Sequence, residues 1–239
     1  MKKFFITGTS SGIGKAMAEL ALAQGHIVSG FSRRNSIEHP NYRHFTVDLG
    51  DLDDYAGIGF DGIPDGVDEV ILINNAGTLG PVKPVANMDP VQVANTYTLN
   101  ISAPSILSKL FLENLSDNEI KKSIINISSG AGSYPIKSWS VYCASKAALN
   151  MFSEVLKLDH PDVRCHAISP GVVDTEMQGE IRRASQEDFP DVARFVEYKE
   201  KGDLASAETV AAKIMFVLDH PEDFNEVALS LRMVELPKS

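Results

Sequence analysis

The N-terminal stretch leaves this chain few folds to choose from. A short apolar run, Lys3 to Thr7, reads as a buried strand, and Thr7-Gly8-Thr9-Ser10-Ser11-Gly12-Ile13-Gly14 follows at once. Ala16 to Ala23, rich in Ala, Leu and Met, then reads as a helix ending near Gly25. Strand, glycine turn and helix in that order are the context a phosphate-binding turn needs. Gly8 permits the sharp turn, Gly12 lets the backbone approach a pyrophosphate, and Gly14 lets helix and strand pack closely. Ser10, Ser11 and Ile13 fill the turn, and the helix N-terminus offers free N–H groups and a partial positive charge to an anion. The spacing is Gly-x-x-x-Gly-x-Gly, so the place of the turn after a strand carries the reading. Taken alone, the same turn can be a tight connection that binds nothing.

The rest of the chain alternates in the same way. His26 to Phe31, His44 to Val47, Val70 to Ile73, Ile124 to Ile127, Asp162 to Ser169 and Val227 to Val234 read as further strands. Val70 to Ile73 is continuously apolar, as a parallel strand covered on both faces should be. Helices are expected from Asp89-Pro90 to about Leu115, from Tyr142 to about Leu158, and over Ala207 to Asp219, with a short or irregular one from about Asp51. Asn35 to Arg43, with Pro40 inside, predicts a loop-like crossover. This alternation predicts one domain over residues 1–239, of class α/β: a doubly wound parallel sheet of about seven strands with helices on both faces. Residues 176–203 are charged and weakly helical, with Pro190 among them. They predict a lid over a substrate or a solvated helical insertion.

Ligands of such sheets bind at the carboxyl ends of the strands. The second strand ends in Ser32-Arg33-Arg34, where a carboxylate would favour NAD through the ribose 2′-hydroxyl. A guanidinium forks well onto a 2′-phosphate, so NADP is expected over NAD unless the arginines are merely solvated. At the end of the third strand, Asp48 precedes Leu49. Asp48 either accepts from an adenine amino group or caps the helix near Asp51. Asn74-Asn75-Ala76-Gly77 ends the fourth strand, and Pro170-Gly171-Val172-Val173-Asp174-Thr175 breaks the sixth. Asn100 lies within a helical stretch; buried there, it needs partners, and it can open the helix to a water or a lysine.

Ser129, Tyr142 and Lys146 supply the chemistry. Tyr142 and Lys146 are four apart and share a helix face; Ser129 precedes Tyr142 by thirteen residues, after a buried strand. An ammonium beside a phenol favours the phenolate, and a nearby hydroxyl can hold a substrate oxygen. Together they could pass a proton to or from a carbonyl or alcohol. The same tyrosine and lysine can also be ordinary features of an amphipathic helix.

Composition narrows the partners. Net charge is −10 with 44% hydrophobic and 23% charged residues, which fits a soluble globular chain and argues against nucleic acid or an anionic membrane surface. Cys143 and Cys165 form no Cys-x-x-Cys, and the six histidines show no ligand spacing, so no metal site is expected. The apolar run after Met1-Lys2-Lys3 is too short for a signal peptide, and no stretch approaches a membrane span. A cytoplasmic protein is expected.

Taken in order, these motifs resemble the short-chain dehydrogenase/reductase family over essentially the whole chain. The resemblance rests on Thr7-Gly8-x-x-x-Gly12-x-Gly14, Asp48, Asn74-Asn75-Ala76-Gly77, Asn100, Ser129, Tyr142-x-x-x-Lys146 and Pro170-Gly171 with Thr175. It implies a Rossmann-type fold, with Tyr142 as general acid/base and Lys146 lowering its pKa and holding the nicotinamide ribose. Ser129 would orient the substrate carbonyl, and Asn100 would anchor a water in a proton relay. Gly8 to Gly14 would hold the pyrophosphate, Arg33 the 2′-phosphate, Asp48 and Leu49 the adenine, and Asn75, Ala76 and Gly77 the adenosine ribose side. Pro170, Gly171, Val173 and Thr175 would meet the nicotinamide end.

Within the family, Lys137 to Cys143 and Ser169 to Gln178 are similar to members that reduce sepiapterin and benzil. The sepiapterin type implies an acidic anchor near the C-terminus, for which Leu229 to Glu235 offers only Glu235. The resemblance therefore implies an NADPH-dependent reductase of a small ketone or diketone, assembled as a homodimer or homotetramer. A nucleotide-sensing protein without chemistry is the alternative.

Overall fold

The structure is a computed structural model that describes residues 1–60, 62–116 and 120–237. Seven strands form one sheet: β1 (Lys2–Thr7), β2 (Ile27–Ser32), β3 (Tyr42–Thr46), β4 (Glu69–Asn74), β5 (Lys121–Ile127), β6 (Arg164–Ser169) and β7 (Ala228–Ser230). Their order is β3-β2-β1-β4-β5-β6-β7, and every pairing is parallel. The expected fold class is the one found.

Side chains on β1 alternate between two cores. Phe4 and Ile6 pack with α1 (Gly12–Ala23) and α7 (Ala207–Asp219) through Met17, Ala21, Ile214 and Leu218. Phe5 faces the other way, toward Leu107 and Phe111 of α3 (Ala103–Asn114) and Leu156 of α4 (Ser140–Asp159). Both faces are covered, which explains the unbroken apolar run in β4. No described helix is long and apolar enough to cross a membrane.

The chain leaves β1 toward β2 and β3, then returns to place β4 on the other side of β1. That reversal opens a crevice at the strands' carboxyl ends. No helix lies between β2 and β3, as the Pro40 segment predicts.

Several elements differ from their expected form. Helix α1 begins at Gly12, four residues before the expected start at Ala16, so the glycine turn is itself the first helical turn. The long helix from Asp89 is α2 (Pro90–Tyr97) and α3, joined by a π-helical turn over Thr98–Ser102. The irregular helix after β3 is a 3₁₀ segment, Leu52–Gly57, capped by Asp51 accepting from the Asp53 N–H at 3.0 Å. Asp51, not Asp48, is therefore the cap. The last strand is only three residues, because the chain turns after Ser230, where the Met233 N–H donates to its carbonyl at 3.1 Å.

Candidate active site

The glycine turn is built around Asn75. Thr7, buried at the end of β1, accepts from the N–H groups of Asn75 and Ala76, each at 2.9 Å. The Asn75 amide in turn donates to the Thr7 carbonyl at 2.9 Å. These bonds lock the ends of β1 and β4 together across the crevice. A Cβ on Gly14 would lie 2.4 Å from both Asn75 Nδ2 and the Gly8 carbonyl oxygen. Gly8 itself holds φ +73, a left-handed backbone open to glycine at little cost. Only bare backbone fits at Gly14, so the first turn of α1 packs directly on the end of β1 and on Asn75.

At the second strand's end a polar lattice fixes the loop. Ser32 donates to the Arg34 carbonyl at 2.9 Å, and Ser36 reaches the Ser10 carbonyl at 3.2 Å. Arg33 is left exposed, with Nη1 4.0 Å from Asp48 Oδ2. Asp48 Oδ1 accepts from the Gly50 N–H at 2.9 Å. A guanidinium so loosely held is free to meet a phosphate.

Strand β5 and helix α4 bring in the reacting groups. Ser129 follows β5 and caps a short turn, its hydroxyl accepting from the Ala131 N–H at 3.2 Å. Tyr142 and Lys146 lie one turn apart on α4, both buried. Lys146 Nζ donates to the Ile127 carbonyl at 2.8 Å and lies 5.8 Å from the centre of the Tyr142 ring. Burial pushes the Tyr142 phenol up to about 12, with the Ser129 hydroxyl pulling against it. Burial lowers Lys146 to about 8. The expected depression of the tyrosine is thus reversed in the protein alone, because desolvation of the phenolate outweighs the Ser129 hydrogen bond that favours it.

Asn100 occupies the π turn, where the extra residue swings its side chain inward. Its Oδ1 accepts from the Thr78 N–H at 2.9 Å, and its Nδ2 donates to the Thr78 carbonyl at 2.8 Å and Ser145 Oγ at 3.1 Å. The amide is fully engaged with protein groups.

A cleft of about 1150 Å³ runs over all of this. Every site residue named from the sequence lines it except Gly14 and Asn100, which stand behind the wall. The cleft also has residues that sequence reasoning missed. Trp139 meets Tyr142 edge-on at 5.6 Å between ring centres, and Phe189 and Phe195 pack on the indole at 5.5 Å each. Helices α5 (Glu176–Arg183) and α6 (Val192–Lys201) carry this aromatic cluster through Ile181 and Phe195. Glu235 is exposed and away from the lining, whereas Ser230 and Arg232 of the same tail line the cleft. The tail brings a cation where an acidic anchor is expected.

The chain is similar to known proteins along most of its length. A profile of the short chain dehydrogenase family matches residues 2–186. The chain is 36% identical over 229 residues to a benzil reductase ((S)-benzoin forming) of Bacillus subtilis, covering 92% of this chain and 94% of that one. It is 31% identical over 237 residues to a sepiapterin reductase of Mus musculus, covering 89% and 90%. Among solved structures, the KRED1-Pglu enzyme superposes with a TM-score of 0.80 at 27% identity, over 95% of this chain and all (100%) of that one.

Proposed function

The chain belongs to the short chain dehydrogenase family, and we propose that it is an NADPH-dependent carbonyl reductase acting on a small ketone or diketone. One observation carries this reading: Ser129, Tyr142 and Lys146 line the same cleft as the glycine cradle. The glycine turn fits a dinucleotide, since Gly8, Ser10, Ser11, Gly12 and Ile13 line the cleft at the start of α1, whose N–H groups attract phosphate, and the exposed Arg33 guanidinium suits a 2′-phosphate. The bound cofactor supplies the hydride. Ser129 and Tyr142 set their hydroxyls at the carbonyl oxygen, where charge grows in the transition state. Tyr142 gives that oxygen a proton, for which a phenol held protonated by burial is suited. Lys146, tethered to the Ile127 carbonyl, fixes the approach to the ribose. Asn100 holds the Thr78 backbone and Ser145 behind these groups.

Arg232 in place of a carboxylate favours a diketone over a pterin. Helices α5 and α6 act as the lid of that site; the packing of Ile181 and Phe195 in the Trp139 cluster supports it. We place the protein in the cytoplasm, where its two free thiols stay reduced. Met151, Val155 and Leu158 form an exposed apolar stripe along α4, which supports a homodimer or homotetramer through that helix. Light scattering of the purified protein reads the assembly directly.

The deciding experiment is NADPH oxidation with benzil, sepiapterin and a simple aldehyde, in the wild type and in Tyr142→Phe. The expected result is diketone turnover that falls by about a thousandfold in the variant, in the range for loss of a general acid. Unchanged turnover in Tyr142→Phe would remove its role. NADPH binding without turnover of any carbonyl would mean a sensor.

A further inference from the structure

The C-terminal tail brings into the cleft a cation that neither the hydride transfer nor the proton transfer uses. Arg232 follows β7, is exposed, and lines the cleft, as does Ser230. Its side chain lies against Gly171, which follows the end of β6: a Cβ built there would be 3.4 Å from Nε and 3.6 Å from Cγ. Among the described residues the guanidinium has no ion pair and no hydrogen bond. Glu176, Glu180 and Asp191 also line the cleft, and none is paired with it.

Strand order decides which part of a ligand this cation meets. From the end of β6, the end of β5 with Ser129 is one strand spacing away, about 5 Å. The end of β1 with the glycine turn is three spacings away (β6 to β5 to β4 to β1), about 14 Å. The end of β2 with Arg33 is farther still. Arg232 therefore stands past the reacting groups as seen from the nucleotide, where the rest of the substrate must lie. Two other cations of the lining are engaged: Lys146 with the Ile127 carbonyl, and Arg194 with the Tyr198 hydroxyl at 2.7 Å. Lys137, in the loop before α4, is exposed. A guanidinium forks onto a carboxylate through two parallel, charge-assisted hydrogen bonds. In a chain of net charge −10 the overall field repels anions, so a carboxylate in this cleft has to be held by a local cation.

We propose that Arg232 determines specificity by holding a carboxylate of the substrate, so that the ketone reduced is an oxo acid. This rests on the carbonyl-reductase reading above and narrows its substrate class. The carbonyl oxygen at Ser129 and Tyr142 and the carboxylate at Arg232 are then two anchors that fix how the substrate lies in the cleft. A site that pairs one substrate group discriminates against the analogue lacking it far more than an apolar pocket can.

The test compares benzoylformate and 3-benzoylpropionate, whose carboxylates lie at different distances from the ketone, each with its neutral methyl ester. All four are assayed with NADPH on the wild type, Arg232→Met, Arg232→Lys and Lys137→Met. For the better acid, the kcat/KM ratio of acid to ester is expected to fall at least tenfold in Arg232→Met, as for loss of a charge-assisted hydrogen bond. Arg232→Lys, which keeps the charge without the fork, should restore part of it, and Lys137→Met should leave it unmoved. If Arg232→Met fails to fold in a thermal scan, Arg232→Gln takes its place. A ratio unchanged in the folded variant, or a loss that follows Lys137 instead, would overturn the inference while leaving the reductase reading intact. So would a rise in the KM for NADPH with acid and ester alike, which would assign Arg232 to a cofactor phosphate, or a wild type that reduces the esters but neither acid. Turnover of no ketone by the wild type, benzil included, would overturn both.

Discussion

Asn100 and Thr78 are joined by two hydrogen bonds that close a small ring. The Asn100 oxygen accepts the Thr78 N–H at 2.9 Å, and its amide nitrogen donates to the Thr78 carbonyl at 2.8 Å. A side chain is thus paired with backbone as a neighbouring strand would be. The ring pins Thr78, in the loop after β4, to the π turn that carries Asn100.

Removing the amide should therefore loosen the site from behind. Asn100→Ala leaves the Thr78 N–H and carbonyl and the Ser145 hydroxyl without that partner. Each buried group left unpaired costs about 1–3 kcal/mol, and water will recover part of it. The expected loss is about 3 kcal/mol of unfolding free energy, read from a urea midpoint with unchanged slope. A loss under about 0.5 kcal/mol, within the scatter of ordinary surface changes, would mean that the ring is incidental.

Gly14→Ala should be among the most damaging single-methyl additions in the chain. The new Cβ would sit 2.4 Å from the Gly8 carbonyl oxygen, a backbone atom with nowhere to go. Overpacking of this kind costs about 3 kcal/mol. The damage should concentrate on the cradle, so NADPH affinity should drop more than tenfold even where the variant stays folded. Trp139, the single tryptophan, lies in the cleft wall and gives the binding signal. Wild-type affinity in a folded Gly14→Ala would show that the cradle is not the pyrophosphate site.

Arg33→Ala should separate the two dinucleotides. Its guanidinium is exposed and only loosely faces Asp48 at 4.0 Å, so the substitution leaves stability nearly unchanged. A charge-assisted contact with a 2′-phosphate contributes enough to raise the KM for NADPH about tenfold or more. The KM for NADH should stay where it is. Equal effects on both cofactors would assign Arg33 to some other task.

Much of this was legible because the chemistry is local. The β4 run Val70 to Ile73 announces a strand covered on both faces. Gly8, Gly12 and Gly14 announce a turn, and Tyr142 and Lys146 share a helix face by spacing alone. What stayed hidden depends on distant contacts. Asn100 reads as a polar residue that can open its helix, but its partner Thr78 lies twenty-two positions earlier, so the sequence does not show that the opening takes the form of a π turn. Trp139 gains its place in the wall from Phe189 and Phe195, which lie in a segment that reads only as charged and weakly helical. Glu235 looked like the tail's polar contribution, but the turn after Ser230 delivers Arg232 to the cleft instead. The protonation of Tyr142 is hidden for a related reason: spacing reveals the lysine beside it, but not how thoroughly both are buried.

That burial gives the protein without cofactor a measurable pH signature. Lys146 titrates near 8 when folded, against 10.5 for an ordinary lysine. Below about pH 8 both folded and unfolded chains hold the proton, and the cost of burying the ammonium is fully present. Between there and about pH 10 the unfolded chain binds more protons than the folded one, so stability rises with pH. The gain over the whole interval is on the order of 3 kcal/mol. Tyr142 works in the opposite sense, but only above about pH 10, because its phenol stays protonated up to about 12 when folded. Lys146→Met removes the lysine's contribution and leaves the other groups in place. The difference in unfolding free energy, wild type minus Lys146→Met, should therefore climb between about pH 8 and pH 10. A difference that stays flat across that window would mean that the ammonium is solvated in the free protein, and that Tyr142 and Lys146 do not share a dry site.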